Sequence, residues 1–239
     1  MHYPKIKLSQ IFTYSGIVLL FIFLLAGCNN NSPVQAPTSM NNGTHNAALS
    51  VNTKPVVTNS FSVTTAKFLV KRVEFDGERN EENELAEGPF VVHIVPGSTS
   101  TNITFGKLPA GTFHEINFLI HKPSPVEVLP DPDFRTGTSD DQRFSFIITG
   151  DINGVTFIYR SRVTIDEEIE IEHPVTVAPS GFINVTLQVD PNTWFFTNNG
   201  VFLDPTNPDN AHTIDMNIKA SFRRAFEDDN EDGQPDGGG

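Results

Sequence analysis

Apolar residues recur at every second position through much of this chain. From Phe182 to Asp190, Ile183, Val185, Leu187 and Val189 fall on one face and Asn184, Thr186, Gln188 and Asp190 on the other, which predicts a strand with one wet face. From Arg143 to Ser161, Phe144, Phe146 and Ile148 lead into Asn153-Gly154, and Val155, Phe157 and Tyr159 return, predicting a tight hairpin. Further strands are predicted at Ala66 to Phe75, Phe90 to Val95, Asn102 to Leu108, Phe113 to His121 and, in pieces, Arg162 to Val177. Phe68 and Val70 share a phase that Val73 and Phe75 break, so a bulge is expected near Lys71-Arg72.

The period changes near the C-terminus. After Asn207-Pro208, a cap followed by proline, Ala211, Ile214, Ile218, Phe222 and Ala225 recur at helical spacing, predicting a helix from Pro208 to Phe226. Asp190 to Phe196 reads as a turn that tucks Trp194 inward. Many short strands with one-sided apolar faces predict a mainly β fold, an antiparallel two-sheet β-sandwich carrying a C-terminal helix. The 20 Phe, against 3 Tyr and 1 Trp, assign aromatic bulk to packing more than to stacking surfaces.

Composition divides the chain further. Met1 to Gly27 has the parts of an export signal: Lys5 and Lys7, an apolar run from Ile17 to Ala26 too short to span a bilayer, then small residues. Residues 28 to 60 are rich in Asn, Ser, Thr and Pro and predict a flexible tether. The β domain with its helix is expected at 61 to 226, and 227 to 239 as a disordered acidic tail.

The formal net charge is -13, and cleavage before Cys28 removes two lysines and no acid, leaving the mature part more negative. Phosphate-backbone binding needs clustered cations, and the pairs Lys71-Arg72 and Arg223-Arg224 are too few, which excludes nucleic acid as a partner. With Cys28 as the lone cysteine, the exported domain must hold together without an internal disulfide.

Leu25-Ala26-Gly27-Cys28 resembles the lipobox of bacterial lipoproteins. The resemblance implies a lipidated Cys28, a membrane partner through its acyl chains, and a place in the cell envelope; Asn29 after the cysteine points to the outer membrane. Lys67 to Phe75, followed by Leu108-Pro109-Ala110-Gly111-Thr112-Phe113 and on to Phe118, resembles an uncharacterised prealbumin-like or immunoglobulin-like β-sandwich domain of bacterial envelope lipoproteins. Val189 to Phe195 and Asn217 to Phe222 are similar to copper-binding envelope proteins of the methanobactin-associated type, which implies copper handling, although no ligand set carries over residue by residue.

The candidate chemistry is sparse. Asp228, Asn230, Asp232 and Asp236 place oxygens at positions one, three, five and nine around Gly233 at six, a partial calcium loop that resembles an EF-hand or a thrombospondin type 3 repeat. Gly239 stands where a bidentate Glu belongs, so weak calcium binding is the expectation. His93, His114 and His121 lie on predicted strands without a metal-ligand spacing and read as surface imidazoles. The carboxylates between Asp76 and Glu87 read as a solvated loop, and Pro123 to Phe134 as an irregular connection able to rim a binding surface. Serine nucleophile motifs, phosphate-cradling loops and zinc spacings are missing, so a non-enzymatic module is expected. Its expected partner is an envelope protein or polysaccharide, with metal handling and a pilin-like or adhesin subunit as alternatives.

Overall fold

The long alternating segments become strands that share one curled, mixed sheet. The computed structural model describes residues 45–54, 60–77, 82–98 and 100–236. The expected export signal, Cys28 and the first part of the tether lie outside them. In chain order the strands are β1 (Ala47–Thr53), β2 (Phe61–Gly77), β3 (Glu82–Ile94), β4 (Thr101–Gly106), β5 (Gly111–Ile120), β6 (Phe146–Ile152), β7 (Val155–Ser161), β8 (Ile165–Val177), β9 (Ile183–Val189) and, after helix α1 (Ala211–Ser221), β10 (Arg224–Glu227).

The spatial order runs β4-β1-β9-β10-β8-β5-β2-β6-β7, with β3 also on β2. The fold is therefore mainly β, as its alternation predicts, but its curled, mixed sheet does not divide clearly into the two antiparallel sheets expected of a sandwich. The β1–β9 pair is parallel, and β10 lies antiparallel to β9 and parallel to β8, stitching together what would otherwise be separate sheets. Local alternation encodes which face of a strand is wet and leaves its neighbour unspecified.

The long strand β2 organises the curl. One of its edges carries β3, and the other carries β6 along 61–68 and β5 along 70–77 in series. Register shifts between Val70 and Arg72 supply the expected bulge. It brings Ala66, Phe68, Val70, Val73 and Phe75 into one core, while Leu69 faces the opposite way into a small cluster with Phe134 and Ile147. At the far side of the curl β3 meets β4, where a Cβ at Gly106 would collide with the Leu85 carbonyl oxygen. Only glycine permits that approach.

The β6–β7 hairpin closes through Asn153 (φ 52°) and Gly154 (φ 80°), both in the left-handed conformation that a two-residue turn of this kind needs. Phe rings fill the interior: Phe68 meets Phe146, Trp194 and Phe222, and Phe118 also meets Phe222. Each fully buried ring contributes about 1.5–3 kcal/mol by removal from water.

Three expected boundaries move. Residues 47–53, assigned to the tether by their polar surroundings, form β1, with Ala47, Leu49 and Val51 in the core. The expected solvated loop before Glu87 is shorter, because Glu82–Ile94 is strand and Leu85 is buried. The helix is also shorter than expected. Asn207 caps a single turn, Pro208–Asn210; α1 follows and stops before Phe222, whose ring packs against Phe68 and Phe118. Ala225 and Phe226 are then both buried, as neighbours on a strand enclosed on both faces can be and as one helical stripe disfavours. Among the described residues no helix is long and apolar enough to cross a membrane.

Candidate functional site

The segment after β9 builds a cleft against α1. Asp190 accepts a hydrogen bond from the Asn192 backbone N–H and caps the turn Pro191–Thr193. Burial would raise its pKa, but hydrogen bonds from Asn192 and the Lys54 ammonium outweigh this and hold it below the usual carboxylate range. The turn drives Trp194 and Phe195 into the core, as the sequence predicts for Trp194. The chain then reverses through Thr197 to Val201: the Gly200 N–H meets the Thr197 carbonyl at 2.8 Å, and Gly200 adopts φ 76°.

Helix α1 supplies the opposite wall and fixes it to the turn. Asn217 donates both hydrogens of its amide to the backbone, to Trp194 O at 3.1 Å and Phe196 O at 2.9 Å. Between the two walls lies a cleft of about 460 Å³, a volume within the usual range of small-ligand sites. Asn198, Thr193, Thr197, Asn217, Phe196 and Arg223 are among its lining residues, and no carboxylate is. The cleft has no counterpart among the residues expected from sequence. Its signal was the clustering of amides and hydroxyls between Asn192 and Asn199, visible only once α1 is placed beside it.

A second polar assembly lies across β4, β1, β9 and the tail. The Ser50 hydroxyl lies 2.8 Å from both Asn184 Oδ1 and Asn102 Oδ1. Asn184 Nδ2 donates to the Asp228 carbonyl, and the Thr186 hydroxyl donates to Asp228 Oδ2. The tail is thus an ordered clasp through Asp236 rather than a disordered segment from 227 onward. Its buried polar groups satisfy one another, which offsets the cost of removing them from water.

The four expected calcium residues come together here, but largely as hydrogen-bond acceptors for the clasp itself. Asp228 is fully buried, and its carboxylate accepts from the Asp232 and Gly233 backbone N–H groups as well as from Thr186. Asp236 accepts from the Asp229 N–H and from Asn230 Nδ2; Asn230 accepts from the Asp232 N–H, and Asp232 from the Gln234 N–H. Among the described residues no three His, Cys, Asp or Glu side chains converge as a metal-ligand set. Burial, reinforced by the charges of Asp229 and Asp236, raises the pKa of Glu227; burial also raises Asp229, against the hydrogen bond it receives from Asn184 N–H.

The histidines do not assemble. His93 is exposed beside Lys67, and its pKa is lowered by partial burial and that neighbouring charge. His121 corrects its expected surface placement: it is buried, with Nε2 2.8 Å from Glu127 Oε1, because the connection after β5 folds over it. That connection is no loose spacer. Arg135 donates to the carbonyls of Ser124, Pro125 and Glu127, and Lys67 bridges Asp131 and Asp133. It leaves Val126 and Val128 exposed at its rim.

A buried titratable pair sits where β7 meets α1. Tyr159 Oη is 2.7 Å from Asp215 Oδ1 and 3.0 Å from the Ala211 carbonyl. Burial raises the Asp215 carboxyl above its usual value, against hydrogen bonds from Tyr159 and Ser161, and burial with the Asp215 contact pushes the Tyr159 phenol up. Both groups face a protein partner inside the helix-to-strand contact.

No protein-family model and no curated protein sequence matches the chain. Among solved structures it is similar to MbnP from Methylosinus trichosporium, at 11% identity over 64% of this chain and 71% of that one, with a TM-score of 0.34. A likeness of that size carries no argument about function, which rests on the chain's own residues.

Proposed function

We propose that this protein is a lipid-anchored, non-catalytic binding module of the bacterial cell envelope. Cys28 carries the acyl chains, residues 28 to 44 act as the tether, and the curled sheet with α1 is the rigid platform. Two or more acyl chains give a lasting anchor, since each buried methylene contributes about 0.8 kcal/mol. The observation that carries the binding role is the cleft between residues 191–200 and α1: its walls are fixed by the Asn217 bonds to Trp194 and Phe196, and it presents amides and hydroxyls beside Arg223. Supporting the anchor is the apolar run that ends in Leu25-Ala26-Gly27-Cys28. Intact mass of the protein extracted from membranes tests it. A mass gain on Cys28, with loss of membrane retention in Cys28→Ser, is the expected result, and an unmodified thiol would overturn the anchor.

Weak calcium binding by the clasp is a second reading, favoured by the sequence spacing of the oxygen-bearing residues Asp228, Asn230, Asp232 and Asp236 around Gly233. Calorimetry with millimolar calcium tests it: heat release with a higher unfolding midpoint is expected, and neither effect would reject it.

A further inference from the structure

We propose that the cleft between residues 191–200 and α1 binds an acidic saccharide, a sugar chain bearing carboxylates. This rests on the binding-module reading and names its ligand class.

Three observations lead there. The first is the balance of free donors and acceptors. Asn198 makes no hydrogen bond among the described residues, so its amide offers two donors and an acceptor. Asn217 spends both hydrogens on backbone carbonyls, which leaves its own oxygen to accept. Thr197 Oγ1 accepts from the Val201 N–H and keeps its hydroxyl hydrogen to donate; Thr193 donates to the Asp190 carbonyl and keeps its lone pairs. Sugar hydroxyls both donate and accept, and a wall that alternates the two capacities matches them better than an apolar ligand or a simple ion.

The second observation is charge. The chain carries a formal charge of -13, yet this cleft is lined by Arg223 and by no carboxylate. Arg223 is exposed and has no ion-pair partner among the described residues, whereas the adjacent Arg224 is engaged by Glu172 and Gln188. A guanidinium left open at the cleft mouth suits bidentate contact with a ligand carboxylate.

The third is rigidity with a partial aromatic wall. Phe196 is half-buried, and its ring is held by Phe61 at 5.9 Å and Phe202 at 5.5 Å. Its remaining surface provides an apolar strip beside the polar groups, as a sugar ring with one hydroxyl-poor face requires. The bonds of Asn217 and Thr197 set the backbone of the walls in advance, so the ordering cost at binding falls on the Asn198 and Arg223 side chains.

Calorimetric titration of the full chain with hexameric oligogalacturonate, alongside neutral maltohexaose, tests the proposal. Saturable binding of the acidic sugar is expected, weaker at high salt. Asn198→Ala and Arg223→Gln are both at exposed positions, and each is expected to weaken it about tenfold, with Arg223→Gln also removing the preference over maltohexaose. Equal binding of both sugars, unchanged by Arg223→Gln, would overturn the acidic class while keeping a saccharide cleft. Binding untouched by either substitution would place the site elsewhere and overturn the cleft. Binding of neither sugar would overturn the ligand class and leave the lipid anchor to its own mass measurement.

Discussion

The indole Nε1–H of Trp194 lies 2.8 Å from the Ser221 hydroxyl, and that bond ties the turn after β9 to the last residue of α1. Ser221 passes its own hydrogen to the Ile218 carbonyl at 2.7 Å, so the hydroxyl is fixed as an acceptor for the indole. The two walls of the cleft are thereby joined at its base.

Ser221→Ala removes the acceptor that the buried indole N–H has among the described residues. It is expected to cost about 1–3 kcal/mol, the penalty for leaving a buried donor unpaired. Trp194 is the single tryptophan, so its fluorescence reports on the packing around this wall. Chemical denaturation followed at that signal should show a lower midpoint with an unchanged slope; an unchanged midpoint would mean that the bond does not hold the wall.

The clasp makes a prediction about acid. Glu227 and Asp229 have folded pKa values raised above their ordinary ones. A carboxyl raised in the folded state binds its proton more tightly there, so its contribution favours the closed clasp at low pH and is lost as pH rises through the folded value. Asp229 and Asp236 amide exchange, corrected for intrinsic rate, is expected to be slower at pH 5 than at pH 7.5. Glu227→Gln should flatten the difference.

Asp228→Ala attacks the same clasp from its buried end. It strips the acceptor from the Thr186 hydroxyl and from two backbone N–H groups, and a loss of about 2–4 kcal/mol is expected. Proteolysis after residue 226 should accelerate in this variant; protection equal to that of the parent would show that the tail docks by other means.

Asp215 is also raised, by burial, so by the same sign its contribution to stability falls as pH rises through its folded pKa. Asp215→Asn keeps a polar partner for Tyr159 and removes the titration. The variant's unfolding midpoint should depend less on pH between 4 and 7 than the parent's, roughly the range over which raised carboxyls titrate. An identical pH profile in the two proteins would show that Asp215 does not titrate there.

Much of the local structure was written in short-range pattern. The alternation from Ile183 to Val189, the Asn153-Gly154 turn, the bulge beside Lys71-Arg72 and the inward Trp194 each depend on residues within a few positions of one another. What could not be read locally was partnership. Ala47 to Thr53 looks like linker because its polar positions, Ser50 and Asn52, find their partners far away, at Asn184 and Gly233. The C-terminal period misled for a related reason: Ile214 and Ile218 are helical core, but Phe222 continues the stripe only because the chain leaves the helix to reach Phe68 and Phe118. The cleft was hidden likewise, since Arg223 and Asn198 are brought together by the fold and by no spacing.

The sequence separation of 134 between Ser50 and Asn184 imposes a timetable on the chain. Strand β1 can meet β4 early, but its other edge waits until β9 has been synthesised, and the polar groups between them stay wet until Asp228 arrives. A nascent polypeptide halted anywhere before that point has an open seam down one side. That seam closes only once Asp228 has joined the chain, and its assembly belongs to the slow, long-range kind of folding.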